Sequence, residues 1–263
     1  MLRLSAASAA LLMAILPPAA GAQATHDDFN WSGTIGSGHW LSIYNLNGPV
    51  KIEHGGDQVQ VTATKHGSPD DDYVRFEVHK FGPNDQDVVI CALWGENQSC
   101  DEDGTHGRTS NNYRHNRDVW VEFRVSVPAN VRVAAHTVNG DVRVDGAGSE
   151  VEAASVNGSV DVSSGGGPVN AETVNGSVRA SMGHFALNSD LNFSSVNGTV
   201  VAEFSDDVNA DVDLSTVNGR FLTDFPVTIQ GRIDPKHLRA RLGTGGPRIH
   251  LATVNGNVEL RKR

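Results

Sequence analysis

The chain has 263 residues, a formal net charge of −10 and only 2 cysteines. An acidic balance disfavours duplex nucleic acid as a partner, because affinity for it comes mostly from basic groups on phosphates. The length suits one large domain or two small ones, and no run of 18 apolar residues follows the N-terminal stretch, so no later helix is expected to span a membrane.

Met1-Leu2-Arg3 gives a short positive start, Leu4 to Leu16 is apolar and Ala-rich, Pro17-Pro18 breaks it, and Ala22-Gln23-Ala24 supplies small residues. This pattern predicts a secretory signal peptide over residues 1–24 and a mature chain from Thr25. The apolar run is too short for a bilayer anchor. No Cys follows the cleavage point, so a lipoprotein anchor is not expected. Without Arg3 the mature chain has a net charge near −11. Export favours a disulfide between Cys91 and Cys100. Its small loop would contribute about 2–3 kcal/mol in the chain-entropy model, pinning a local excursion without stapling the fold.

From Asn30 to Lys65 apolar residues alternate: Leu41 and Ile43, then Val50 and Ile52, then Val59 and Val61. A period of two predicts half-buried strands. Asp70-Asp71-Asp72 reads as a solvated turn. Val74, Phe76 and Val78 form a further strand before a Gly82-Pro83-Asn84 turn, and Val88 and Ile90 lead into Cys91. Residues 91–118 are turn-rich, with Asp101-Glu102-Asp103-Gly104 and Ser110-Asn111-Asn112, and read as a long disulfide-clipped loop. Val119, Val121, Phe123, Val125 and Val127 give the clearest alternation in the chain, ended by Pro128.

A phrase, Thr/Ser-Val-Asn-Gly, then recurs six times, centred on Asn139-Gly140, Asn157-Gly158, Asn175-Gly176, Asn197-Gly198, Asn218-Gly219 and Asn255-Gly256. The Asn-to-Asn steps are 18, 18, 22, 21 and 37 residues. A period near 20 marks a repeat architecture. The last step is about twice the others, so one copy is expected to have degenerated. Aligned on the Asn, apolar residues fall six before, four before and three after it in every copy, and five after it in most. Leu41, Ile43, Val50 and Ile52 fit the same template around Asn47, so the repeat is expected to start near residue 35 and to form one all-β domain over 25–263.

Two architectures fit. Asn-Gly between alternating strands is a hairpin signal, which allows an antiparallel meander. The alternative is a parallel β-solenoid of 18–22 residues per coil, right-handed by the usual crossover rule, with Asn-Gly at a corner. The recurrence of the phrase favours the solenoid, as does the placement of added residues between phrases. On that reading Arg143, Asp161 and Arg179, each four after its Asn, become neighbours of alternating sign. Asn and Gly suit such corners because both tolerate left-handed backbone, and stacked Asn can satisfy one another's amides. The same reading accounts for the glycosylation-like triplets at Asn157, Asn175 and Asn197.

The run Val119-Trp120-Val121-Glu122-Phe123-Arg124-Val125-Ser126-Val127-Pro128, followed by the repeated phrase and closed by Gly243 to Leu260, resembles the bacterial candidate-adhesin family of β-strand-repeat proteins, a domain of unknown function. The resemblance spans roughly residues 30–263. It implies a parallel β-helix-like fold, an exported location, either periplasmic or secreted to the bacterial cell surface, and a non-enzymatic envelope role. It brings no catalytic residues with it, and the cysteine-clipped loop departs from it.

Chemistry-bearing motifs are few. Asp206, Asp207, Asp211 and Asp213 are the carboxylates a polysaccharide lyase or hydrolase on such a fold would need, but they also read as solvated loop. Asp101, Asp103 and Gly104 echo part of a calcium loop without its remaining ligand positions. The histidines show no zinc spacing, and no cofactor motif appears. One acidic-to-basic reversal stands out: Arg232, Lys236, His237, Arg239, Arg241 and Arg248 form a candidate patch for an anionic partner, or an edge that balances the acidic body. Arg261-Lys262-Arg263 reads as a charged end to the solenoid. The expected function is an exported binding or structural module, with a cell-surface glycan or an envelope protein as partner. A carbohydrate-active enzyme and an envelope-stress signalling component are the alternatives.

Overall fold

The computed structural model describes residues 29–67, 74–107, 119–183, 189–229 and 234–263. The expected signal peptide, the Asp70–Asp72 turn, Ser110–Asn112 and Arg232 lie outside them. Within them the chain is β-structure with one short 3-10 turn, Pro83–Asp85, and no α-helix.

Each repeat contributes two strands. The one that ends at the Asn joins an eleven-stranded sheet, here sheet I, and the one that follows the Gly joins a ten-stranded sheet, sheet II. The coils stack parallel and in register. Val133 pairs with Val151 and Val151 with Val169 in sheet I, while Val142 pairs with Val160 and Val160 with Val178 in sheet II. Arg143, Asp161 and Arg179 are successive partners along sheet II. The antiparallel meander is excluded, and the chain is a parallel β-solenoid. The nearest charge contacts differ from the simple expectation: Arg143 meets Asp145 at 2.7 Å, and Arg179 meets Glu203 at 2.5 Å.

The apolar template fills the space between the sheets. Val151, Ala153, Val160 and Val162 of one coil are 0–2% exposed, as are Val169, Ala171, Val178 and Ala180 of the next. Each fully buried valine contributes about 1.5–3 kcal/mol of transfer free energy, so the repeat is held mainly by this shared core. Arg132–Asn139 with Val142–Ala147 stacks on Trp40–Tyr44 with Val50–His54, with Val133 beside Leu41 and Val144 beside Ile52. The template extended to Asn47 is therefore correct.

The stacking order departs from chain order at both ends. The coil of Arg248–Asn255 and Val258–Lys262 is not the last. It lies between the coil of Leu191–Asn197 and Val200–Phe204 and that of Ala210–Asn218 and Phe221–Thr223. Among the described residues the 37-residue step therefore holds no degenerate coil. Its extra residues include strand His237–Leu242, which runs antiparallel along Ala210–Asn218 and covers that edge, with Thr228–Ile229 outside it. Arg261 and Lys262 accordingly do not cap the solenoid; they pair with Asp224 and Asp206 at 2.9 and 3.1 Å.

The N-terminal end mirrors this. Coil 40–54 is flanked on its far side by a split outermost coil, Asp87–Trp94 in sheet I and Trp120–Val127 in sheet II. Antiparallel strands Val74–Phe81 and Val59–His66 then cover the two sheets, with Phe29–Gly33 outermost in sheet II. Phe29 stacks on Phe76 at 4.9 Å, and Phe76 meets Phe123 edge-on at 6.0 Å, closing this end of the core.

Candidate functional site

The corner is where the repeated phrase acts, and each of its four residues has a separate task. The Thr or Ser is buried, and its hydroxyl donates to the glycine carbonyl of the neighbouring coil. Thr137 donates to Gly48, Ser155 to Gly140, Thr173 to Gly158, Ser195 to Gly176, Thr253 to Gly198 and Thr216 to Gly256, all at 2.7–2.9 Å. Asn45 holds this position in the first coil and reaches Val121 O at 2.9 Å. An inward carbonyl without a donor would cost about 1–3 kcal/mol.

The Asn side chains form a continuous ladder. Asn157 Nδ2 donates to Asn139 Oδ1 at 2.9 Å, and Asn175, Asn197, Asn255 and Asn218 each donate to the preceding Asn in the stack at 2.8 Å. The ladder follows stacking order, so Asn255 bridges Asn197 and Asn218.

The glycines are there for space. A Cβ on Gly140, Gly158, Gly176, Gly198, Gly219 or Gly256 would lie 1.7–2.2 Å from the glycine carbonyl oxygen of the next coil. None of the six has φ in the left-handed region, and neither do the corner asparagines. The expectation that left-handed backbone selects Asn-Gly is thus corrected: Gly is required by close approach, and Asn by the amide ladder. Gly48 alone among these corners has positive φ, 119°.

The Val of the phrase points outward. Val156, Val174 and Val196 are 39% exposed, Val254 is 40% and Val217 is 51%. They form an aliphatic stripe beside the Asn ladder, at the strand spacing of about 4.8 Å. Nothing in the alternation marked it, because this Val follows a core position and looked like part of the strand's apolar content.

The disulfide joins Cys91 to Cys100. Strands Gln98–Asp101 and Gly104–Gly107 form a small antiparallel sheet, so the expected loop is in part a hairpin. It lies over the outer face of sheet I, where Val89, Cys91 and Leu93 are fully buried with Cys100 against Tyr44 and Phe81. Strand Asp87–Trp94 is consequently buried on both faces. The Arg75 guanidinium anchors the clip by donating to the carbonyls of Gly95 and Gln98. Asp101 Oδ1 accepts from Asp103 N and meets His106 Nε2 at 2.7 Å, so its oxygen serves a turn. Among the described residues no group of three or more His, Cys, Asp or Glu is placed to hold a metal.

Beside the clip the outer face of sheet I is acidic. Burial, and then the charges of Glu150 and Glu172, raise the Glu152 carboxyl above its usual range. Burial, and then Glu152, Asp103 and Asp101, raise the Tyr44 phenol. Tyr44 stacks on His136 at 4.7 Å, and burial lowers the His136 imidazole.

The basic stretch lies at the opposite end. Arg239 and Arg241 are cross-strand partners of Asp213 and Asp211 and meet them at 3.5 and 3.1 Å. Asp213 Oδ1 also lies 2.7 Å from His237 Nε2. Lys236 Nζ donates to Val217 O, and Arg248 N donates to Asp190 Oδ1 at 2.7 Å. The structure thus brings Arg239, Arg248 and two of the four candidate carboxylates, Asp211 and Asp213, into one shallow cleft of about 240 Å³. Asp206 pairs instead with Lys262, and Asp207 accepts from Ser205 at 2.8 Å.

A third feature had no sequence signal beyond its aromatic residue. Trp120 lies at the outermost coil's corner, 36% exposed and stacked on His66 at 3.8 Å. It walls an open groove of about 640 Å³ whose floor includes Asn47, Pro49, Asn139 and Asp141.

A solved structure of a candidate cell adhesion protein from Clostridium sporogenes superposes with a TM-score of 0.53 at 9% identity, covering 90% of this chain and all of the other, which shows a shared fold. A candidate adhesin from Bacteroides fragilis aligns over 90% of this chain and 97% of its own at 12% identity, with a TM-score of 0.38. No curated protein matches the sequence. The Toastrack DUF4097 family profile matches residues 124–261, from within the outermost coil to the inserted one. That span contains all six copies of the phrase and over half the chain, and the chain belongs to the Toastrack family.

Proposed function

We propose that this protein is an exported, non-enzymatic β-solenoid module of the bacterial envelope that binds an extended partner, a surface glycan or an envelope protein. Export rests on the signal-peptide pattern of residues 1–24, with residues 25–263 forming one solenoid domain and acting in the periplasm or at the cell surface. The observation that carries the reading is the long, regular corner, with its exposed Asn ladder and Val stripe running side by side across the stack. Such a surface repeats every coil and suits recognition of a repeating or extended molecule. The Clostridium sporogenes structure that shares this fold bears a candidate cell adhesion name, which agrees with this reading. The carboxylates an enzyme would use at the basic end, Asp211 and Asp213, are engaged by Arg241 and Arg239. In this proposal the basic strand serves to neutralise the acidic last coil and cover its edge.

The test is binding of labelled mature protein to bacterial cells and to a glycan array. Saturable binding without change to the ligand is expected. Release of sugar from a polymer, with no stable binding, would replace the module by an enzyme.

A further inference from the structure

We infer that the groove between Trp120 and Asp141 is a binding site for the rings of an uncharged polysaccharide. This rests on the binding-module reading above and assigns it a place and a ligand class.

The position follows from register. Phe123 pairs with Val50, and Val121 N donates to Asn47 O at 2.8 Å, so Trp120 occupies in the outermost coil the place that Asn holds in the others. Asn47 turns its amide to Val119 O at 2.6 Å. The ladder therefore ends at Asn139, whose amide turns to Leu46 O at 3.5 Å, and Asn47 lies between it and the Trp120 position. Val121 stands where the other coils carry Gly.

The groove has the parts a sugar ring needs. Its volume, about 640 Å³, lies in the range of small-molecule sites. A pyranose presents C–H groups on its faces and hydroxyls at its edge. The indole offers a negative π face to the C–H groups, and His66 stacked on it restrains the ring. At the other side, Asp141 Oδ1 accepts from Ser159 N at 2.7 Å, which fixes the carboxylate beside the groove as an acceptor for hydroxyls. Asn139 and Asn47 supply amide groups between the two. Beyond the groove the exposed Asn ladder continues. Each of its amides uses one hydrogen on its neighbour's oxygen and has a second to donate, so a longer polymer meets donors at every coil. The carboxylate in the groove and a net charge of −10 select against polyanions.

Titration calorimetry of the mature chain with hexasaccharides of β-1,4-glucose, β-1,4-N-acetylglucosamine and α-1,4-glucose, and with hexagalacturonate as the anionic probe, tests this. At least one neutral hexasaccharide is expected to bind. Trp120→Ala should weaken binding about tenfold or more, as truncating an aromatic anchor that the ligand covers does. Asp141→Asn, which retains an acceptor for Ser159 N–H, should weaken binding severalfold with an unchanged melting temperature, so loss of affinity there cannot be put down to unfolding. Arg239→Ala/Arg241→Ala should bind as wild type. Absence of binding by every neutral hexasaccharide, preference for hexagalacturonate, or full affinity in both groove variants would overturn the assignment. Cell binding separates the two readings. If wild type and Trp120→Ala bind cells equally, the groove is wrong and the module stands. If Trp120-dependent sugar binding occurs without any cell binding, the groove stands and the surface role falls.

Discussion

A methyl group on Gly158 would lie 1.9 Å from the carbonyl oxygen of Gly140 in the neighbouring coil. The phrase that repeats along the chain is therefore a clearance requirement repeated along a stack. Gly158→Ala should cost about 3 kcal/mol or more, at the upper end for overpacking. A methyl group on Gly165, in the same coil and without positive φ, would meet nothing closer than Ala147 O at 3.9 Å, so Gly165→Ala should change stability by no more than about 0.5 kcal/mol. Urea unfolding of the two variants side by side checks the contrast.

The hydroxyl of Thr173 donates to Gly158 O at 2.7 Å from a site only 4% exposed. Thr173→Val keeps the shape and removes the donor, and should cost about 1–3 kcal/mol. Thr173→Ser should retain the bond, since Ser155 and Ser195 make it in their own coils. Equal loss in both variants would point to packing and not to the hydrogen bond.

Cys91 and Cys100 tie a hairpin onto a solenoid strand and not onto another loop. Replacing both by Ala should lower stability by about 2–3 kcal/mol in the chain-entropy model. Amide exchange should accelerate in residues 98–107 well before it does in the coils from 132 onward. Uniform acceleration through the coils would mean that the clip supports the whole stack.

Burial lowers the imidazole pKa of both His136 and His54. The unfolded chain then binds more protons than the folded one below about pH 6.5, the ordinary value for histidine. Stability from these groups is present above that pH and is lost as pH falls through it. His54 Nε2 accepts from Gly148 N at 2.9 Å, a bond that protonation removes. The melting temperature should fall on acidification below about pH 6.5, and His54→Gln should flatten that slope. The opposite sign applies to Glu152, whose carboxyl is raised by burial and by Glu150 and Glu172. Glu152→Gln should stabilise the protein at neutral pH.

Much of the fold was legible from residues alone. Apart from the half-buried Phe221, the apolar positions around each Asn are the buried ones, and coil 40–54 follows the same template with Asn45 in place of Thr. The order of the coils was not legible, because every coil presents the same ladder to its neighbours, and a pattern of equal units does not say which two become adjacent. The outermost coil was hidden for a different reason. Its two strands are separated by the disulfide hairpin, and Trp120-Val121 stands where Asn-Gly would, which is allowed because no parallel coil lies beyond it to meet the Val121 side chain. In the basic stretch the charge reversal was visible in composition. That Arg239 and Arg241 face Asp213 and Asp211 depends on an antiparallel return that no local signal announces.

The insertion of the Arg248–Lys262 coil is the feature that most separates this solenoid from a simple sequential stack, and engineered disulfides on the exposed Val stripe test it directly. In the register observed, Val196 and Val217 each lie beside Val254 and two coils from one another. Neighbouring strands are about 4.8 Å apart, within reach of a disulfide, while a two-coil separation of about 9.6 Å is not. Val196→Cys/Val254→Cys and Val254→Cys/Val217→Cys should cross-link on mild oxidation, as read by peptide mass mapping, and Val196→Cys/Val217→Cys should remain reduced. Cross-linking of 196 to 217 with none at 254 would contradict the insertion and restore a stack in chain order.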